Sequence, residues 1–247
     1  MGNSAIPDPV MVPEAPLPAY ASVGVICAHP DDEAFGLGAI ISGMVDAGAH
    51  VELVCLTRGE GSTLGARADL AARRYVELHD AAEELGIARV NLFDHPDGSL
   101  SSVPLDQLVD EVTEALGDVE VLLTFDHGGI TGHPDHQHAT DVAVAAGRRR
   151  GIPVFGWALP ESVAATLRDE FDAPFVGRST EDITQRSIVD RTRQDAAIAC
   201  HPSQHNPVPH RRIALQGPYE YLRLLNPGVA PRRHPPPDQP DAVDLTR

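Results

Sequence analysis

Continuous apolar runs separated by helical patterns are the feature that most narrows how this chain can fold. The runs are Ser22–Ala28, His50–Thr57, Arg89–Phe93, Glu120–Phe125 and Ile152–Trp157. Unbroken apolar character, rather than alternation, marks strands buried on both faces, as in a parallel sheet. Between the runs the spacing predicts helices over Glu33–Ala47, Ala66–Leu85, Leu105–Leu116 and Pro134–Arg150. Gly86, Gly117 and Gly151 follow three of them, where a helix stops most easily on glycine. The alternation predicts an α/β fold, Rossmann-like, with a mostly parallel sheet and helices on both faces. Beyond Trp157, Glu161–Glu170 and Asp190–Cys200 read as helical, and their docking is not readable.

At 247 residues the chain fits one large domain. Residues 1–20 hold five prolines and are expected to be an irregular leader. Residues 227–247, with Pro235, Pro236 and Pro237 in a row, are expected to be a loose tail. The domain is therefore placed at 21–226. A formal net charge of −17 repels polyanions and excludes a nucleic-acid partner. The one basic cluster, Arg148 to Arg150, lies at a helix end, where it complements the helix dipole. Every basic residue is arginine, so a Schiff-base lysine is excluded. No apolar run approaches the roughly 18 residues of a membrane span. The first residues lack a basic and apolar secretory signal, so a cytoplasmic protein is expected. Cys27, Cys55 and Cys200 are odd in number and lack CxxC spacing, which predicts packing thiols rather than disulfides.

In a doubly wound sheet, ligands sit beyond the carboxyl ends of the strands, where chain order reverses. After the first run stands His29-Pro30-Asp31-Asp32-Glu33, and after the fourth Gly132-His133-Pro134-Asp135-His136. Both have the form His-Pro-Asp-X at a point where a helix is predicted to begin. Proline suits the first helical position, so each histidine can cap its helix with X one turn on. Imidazoles and carboxylates gathered at one point suit zinc, which keeps three protein ligands and an open position in catalytic sites. His29, Asp31, Asp32, His133, Asp135 and His136 are all candidates, and spacing does not choose among them.

These two motifs resemble those of the PIG-L/LmbE-like deacetylases, zinc enzymes that remove acetyl groups from N-acetylglucosaminyl compounds. The resemblance extends to Thr57-Arg58-Gly59-Glu60-Gly61, to Arg74 and Glu77 ahead of Leu85-Gly86, and to Asp97-Gly98. It continues to Ala197, His201, Ser203 and Gln204, and so runs from about Val23 to Gln204. Arg193 stands where the family often has lysine, a small departure. The resemblance implies His29, Asp32 and His136 as zinc ligands, Asp31 as general base and His133 as a stabiliser of transition-state charge. Fe2+ or another divalent transition metal could take the place of zinc. Arg58, Glu60, Arg74 and His201 are candidate substrate contacts, although Arg74 and Glu77 could equally be a helix-face ion pair.

The implied reaction is hydrolysis of the amide of an N-acetylated amino sugar or related small molecule, with Asp31 or His133 protonating the departing amine. One alternative is an amidase of a thiol–amino-sugar conjugate using the same metal. Thr131 argues mildly against the mycothiol branch, whose members carry tyrosine before this Gly-His-Pro-Asp-His segment. A non-catalytic metal- or sugar-binding module is the other alternative, and a free Asp31 beside the ligands argues against it. The absence of G-x-G-x-x-G after the first strand disfavours a dinucleotide-binding protein. The resemblance leaves a homo-oligomer open, and no residue locates an interface.

Overall fold

The computed structural model describes residues 11–65 and 67–229. In chain order the strands are β1 (Ser22–Cys27), β2 (His50–Thr57), β3 (Arg89–His95), β4 (Val121–Phe125) and β5 (Pro153–Trp157), then short β6 (Leu159–Pro160) and β7 (Gly177–Arg178), and finally β8 (Gln185–Ile188) and β9 (Tyr219–Pro227). The helices are α1 (Asp32–Phe35), α2 (Gly38–Asp46), α3 (Leu70–Leu85), α4 (Leu105–Ala115), a four-residue α5 (Gly129–Gly132), α6 (Pro134–Arg150), α7 (Glu161–Phe171), α8 (Thr192–Ala199) and α9 (Val208–Gln216).

Seven strands form one sheet in the order β3-β2-β1-β4-β5-β9-β8. β1 to β5 are mutually parallel, which is what their continuous apolar sequences require. Successive residues of β1 face opposite layers: Val23, Val25 and Cys27 join the core under α2, α3, α7 and α8. Ile26 and Ala28 point the other way, into the layer built with α4 and α6. All three cysteines are free. No described helix is long and apolar enough to cross a membrane.

Three sequence expectations are corrected. The helix predicted over Glu33–Ala47 is two helices, α1 and α2, broken around Gly36. A side chain at Gly36 would lie 2.5 Å from the Phe125 ring, so only glycine fits where α1 gives way to α2. The helix predicted from Ala66 begins at Leu70 among the described residues, and Ala66 itself lies outside them. β6 to β9 were not anticipated; β9 runs antiparallel to both β5 and β8, its buried Glu220 and Leu222 alternating with half-buried Tyr219 and Tyr221. Residues 11–20 have one strand-like contact, Glu14 bridging to Arg186 of edge strand β8. Residues 1–10 of the expected leader and 230–247 of the expected tail lie outside the described residues.

The sheet interior carries the stability. Leu53, at the centre of β2, is fully buried. Leu53→Ala is expected to cost about 2–5 kcal/mol, by lost burial and the cavity left behind. Urea unfolding at constant slope measures it, and a loss under about 1 kcal/mol would mean the core closes around the gap.

Candidate active site

β1 and β4 are adjacent, yet the chain leaves them toward opposite edges of the sheet: β1 continues to β2 and β3, β4 to β5. Their carboxyl ends are therefore the topological switch point, and both His-Pro-Asp segments emerge there. His133 caps α6 as the sequence predicts, its Nδ1 accepting the Asp135 N–H at 3.2 Å. The first segment differs from the expectation. Asp31, not His29, occupies the cap of α1, with φ 141° and ψ −23°, a conformation that L-residues rarely adopt. The turn aims the Asp31 side chain into a cavity of about 690 Å3 that Asp32, His29, His133 and His136 also line.

The hydrogen bonds assign the ring protons. His29 Nε2 lies 3.0 Å from Asp97 Oδ1 and 3.2 Å from Asp135 Oδ2, so it carries hydrogen. His136 Nδ1 donates to the Gly129 carbonyl at 3.0 Å. The remaining nitrogens, His29 Nδ1 and His136 Nε2, face each other at 3.1 Å. Two lone pairs cannot sit so close without a proton or a cation between them. Asp32 adds a third donor: Oδ2 accepts the Ala28 and His29 N–H groups, and Oδ1 lies 3.1 Å from His136 Nε2. Tetrahedral zinc with bonds near 2.0–2.1 Å places its ligand atoms roughly 3.3 Å apart, close to the two separations from His136 Nε2, while His29 Nδ1 lies 3.9 Å from Asp32 Oδ2.

The donor set thus fits a divalent metal, and His29, His133 and His136 also bring nitrogens within 4.8 Å of one another. His133 is the weaker ligand candidate. Its Nδ1 is used by the Asp135 amide, which leaves a proton on Nε2. A second cluster, His29 with Asp97 and Asp135, is better read as the support of His29. Asp135 is fully buried and also accepts the Gly98 and Leu100 N–H groups, at 2.7 and 3.0 Å.

Electrostatics differ sharply across the cluster. Burial is the largest influence on Asp31 and, with the Asp32 carboxylate, pushes it up to about 6 against the pull of Arg74. Burial also opposes charge on Asp32, but His136 and His29 outweigh it and hold that carboxyl below the usual range. Burial works against charge on His29 too, and there Asp135 and Asp97 push the pKa well up. His133 is pushed down by burial and by His136 and His29.

Arg74 and Glu77 do not pair with each other. From one face of α3, Arg74 reaches Asp31 Oδ1 at 3.1 Å, the Gly59 carbonyl at 2.8 Å and the Pro30 carbonyl. Gly59 has φ +66°, and a Cβ there would lie 2.2 Å from the guanidinium. Glu77 accepts the Ser203 N–H and hydroxyl, at 3.1 and 2.5 Å. Among the candidate substrate contacts, Arg74 lines the cavity. Arg58 is drawn outward to Asp94 at 3.1 Å, where both are solvated. Glu60 supports Asp97 by accepting its N–H at 3.1 Å. His201 is buried and pairs with Glu33 at 2.6 Å, while the other Glu33 oxygen accepts the Asp31 N–H. Arg193 bonds Asp46 and the Glu84 carbonyl, both outside the cavity lining.

Sequence reasoning missed the apolar wall of the cavity, built by Phe35, Phe125, Ile130, Trp157 and Phe175. It also missed Asp97 as the partner of His29, although the carboxyl-end rule pointed to the segment after β3. Trp157 is held from behind, its Nε1–H donating to buried Glu220 at 2.6 Å and the Arg212 guanidinium lying 4.8 Å over its ring.

Fold and site together define a Rossmann-like α/β protein with a histidine–carboxylate centre at its switch point. The PIG-L family, GlcNAc-PI de-N-acetylase, matches residues 24–147, just over half of the sequence, and the chain belongs to that family. It is 32% identical over 196 residues to 1D-myo-inositol 2-acetamido-2-deoxy-alpha-D-glucopyranoside deacetylase 1 of Catenulispora acidiphila, a match covering 62% of this chain and 61% of that protein. Among solved structures it resembles N,N'-diacetylchitobiose deacetylase from Pyrococcus horikoshii, with TM-score 0.61 and 22% identity over 83% of this chain and 84% of the other. It is as similar to GalB, the 4-carboxy-2-hydroxymuconate hydratase of Pseudomonas putida KT2440, with TM-score 0.62 and 20% identity over 85% and 98%. Those two likenesses are of fold, and the fold alone does not select a reaction.

The His201–Glu33 pair generates a pH prediction. Burial opposes charge on His201, but Glu33 outweighs it and raises the folded pKa above the unfolded value near 6.5. Stability from this pair is fully present below about pH 6.5 and is lost as pH rises through the raised folded value. The stability advantage of the native chain over His201→Gln, from urea unfolding at several pH values, is expected to shrink as pH rises. An advantage that stays constant or grows would contradict a charged pair.

Proposed function

We propose that this protein is a zinc-dependent hydrolase that removes the acetyl group from the amide nitrogen of an N-acetylated amino sugar. The observation that carries this reading is the approach of His136 Nε2 to both His29 Nδ1 and Asp32 Oδ1, each at 3.1 Å, in a cavity that the Arg74-paired Asp31 also lines. Membership of a family of de-N-acetylases supports the reaction, and the named relative from Catenulispora acts on an N-acetylated amino-sugar glycoside.

In this reading His29, Asp32 and His136 hold the metal. Zinc, when bound there, supplies Lewis acidity that lowers the pKa of water and polarises the amide carbonyl. Asp31 accepts the proton of the attacking water, and Arg74 keeps its carboxylate aimed at the cavity. Having taken that proton beside the cavity, the Asp31 carboxyl can hand it to the departing amine. His133 needs no positive charge for its part. Its Nε2–H is available as a neutral donor to the developing oxyanion because Nδ1 is occupied.

Elemental analysis of the purified chain, with acetate release from a panel of N-acetylated amino sugars, tests the proposal. About one zinc per chain together with acetate release is expected. Zinc without acetate release from any of the panel would move the search to other acyl groups or to thiol conjugates. Absence of metal after reconstitution would end the reading. Asp31→Ala is expected to keep zinc and lose roughly 100-fold or more in kcat. His136→Ala is expected to lose zinc, and full zinc content in that variant would refute the ligand assignment.

A further inference from the structure

His136 reaches the centre from the first turn of α6, and that turn is anchored from both sides. Thr140 Oγ1 lies 2.9 Å from both the Phe125 and the His136 carbonyls and shares its one hydrogen between them, which ties the turn to the end of β4. The ring itself is fixed by one bond, Nδ1–H to the Gly129 carbonyl. That carbonyl belongs to α5, whose backbone is unusual: Gly129 has φ +57°, and Ile130 has φ 62° with ψ −54°. A β-branched residue at positive φ costs free energy, so the loop must be held there by its surroundings.

What holds it is a buried carboxylate that the proposed mechanism does not use. Asp126, directly after β4, is 3% exposed. Its Oδ2 accepts the Gly128 N–H at 3.1 Å and the Arg178 Nε–H at 2.6 Å. Its Oδ1 accepts from Arg223 of β9, and its backbone carbonyl accepts the Gly129 N–H at 2.8 Å. Two residues before Arg178, the Val176 N–H donates to the Ile130 carbonyl at 2.7 Å. A side chain at Gly128 would meet Val176 at 2.6 Å, so the β7 segment presses directly on the loop. The carboxylate thus gathers the end of β4, β7 and β9 around the segment that orients His136.

We propose that Asp126 is a positioning residue of the metal centre, acting through the Gly128–Gly132 loop to fix the ring proton and the aim of His136. The inference rests on the reading of His136 as a metal ligand. Arg178 and Arg223 neutralise the carboxylate where it is shielded from water, and the carboxylate in turn keeps two guanidiniums over the loop. Without the charge, the arginines lose their shared partner and the Gly128 N–H loses its acceptor. The Gly129 carbonyl is then free to withdraw, and His136 can rotate or carry its proton on Nε2, the nitrogen required for the metal.

The test uses the full chain and the near-isosteric Asp126→Asn, with zinc affinity measured by chelator competition at a temperature where circular dichroism shows both proteins folded. The zinc Kd is expected to rise about 10–100-fold, the range for losing a group that orients a metal ligand. Where acetate release is measured, kcat is expected to fall more than KM rises. Gly129→Ala leaves Asp126 intact but places a Cβ 3.2 Å from His136 Cβ, and is expected to weaken zinc in the same way. This second variant keeps the idea testable if Asp126→Asn does not fold. A folded Asp126→Asn with the native zinc Kd overturns the inference, as does a variant that lowers only the melting temperature of the metal-free protein. If the native chain binds no zinc, the metal reading fails and takes this inference with it. If the native chain binds zinc and both variants bind it equally, this inference alone fails.

Discussion

The two facing imidazole nitrogens, His29 Nδ1 and His136 Nε2, define the centre, and the polar groups around them fix which way each ring points. Each ring has its other nitrogen engaged, His29 by Asp97 and Asp135 and His136 by a backbone carbonyl. Their closeness depends on β1 and β4 being sheet neighbours. Strands lie about 4.8 Å apart, so one intervening strand would separate the segments by roughly 10 Å and no metal could bridge them.

Holding charged groups around such a pair without water is costly unless each has partners. The chain meets this with buried side chains that serve several loops at once. Arg74 joins the turn after β2 to the Asp31 segment, and Glu77, one helical turn along, joins α3 to Ser203. Glu33 connects His201 to the Asp31 amide. The backbone strain at Asp31 is sustained by these contacts, since its φ of 141° is unfavourable on its own. The segment from Arg191 to Gln204 therefore contributes by locking the first motif rather than by lining the cavity broadly.

The apolar wall of Phe35, Phe125, Ile130, Trp157 and Phe175 performs a different task. Apolar surroundings raise the worth of each electrostatic interaction inside and help expel water. Likeness in fold to both a deacetylase and a hydratase means that the sheet alone does not select a reaction.

Much was legible in the sequence for a physical reason. Parallel strands inside a sheet are buried on both faces, so β1, β2, β4 and β5 stand out as apolar runs, with edge strand β3 only half-buried, and proline with histidine at a strand's end marks where a helix and a site begin. The capping role of His133 followed from that local pattern; the cap at Asp31 did not, because its turn is held by Arg74 of α3 and by Glu33, which His201 fixes from far along the chain. Nor did spacing distinguish Asp32 from Asp135. Both follow the same His-Pro motif, yet one carboxylate turns toward His136 Nε2 and the other backs His29. Arg58 and Glu60 had the right position after β2 but point to Asp94 and to the Asp97 amide. Local sequence determines which segments form strands, helices and caps because those preferences act over a few residues. The direction of each side chain, and hence which groups converge in the cavity, is decided only when the packed sheet brings residues about a hundred positions apart, such as His29 and His136, within 3.1 Å.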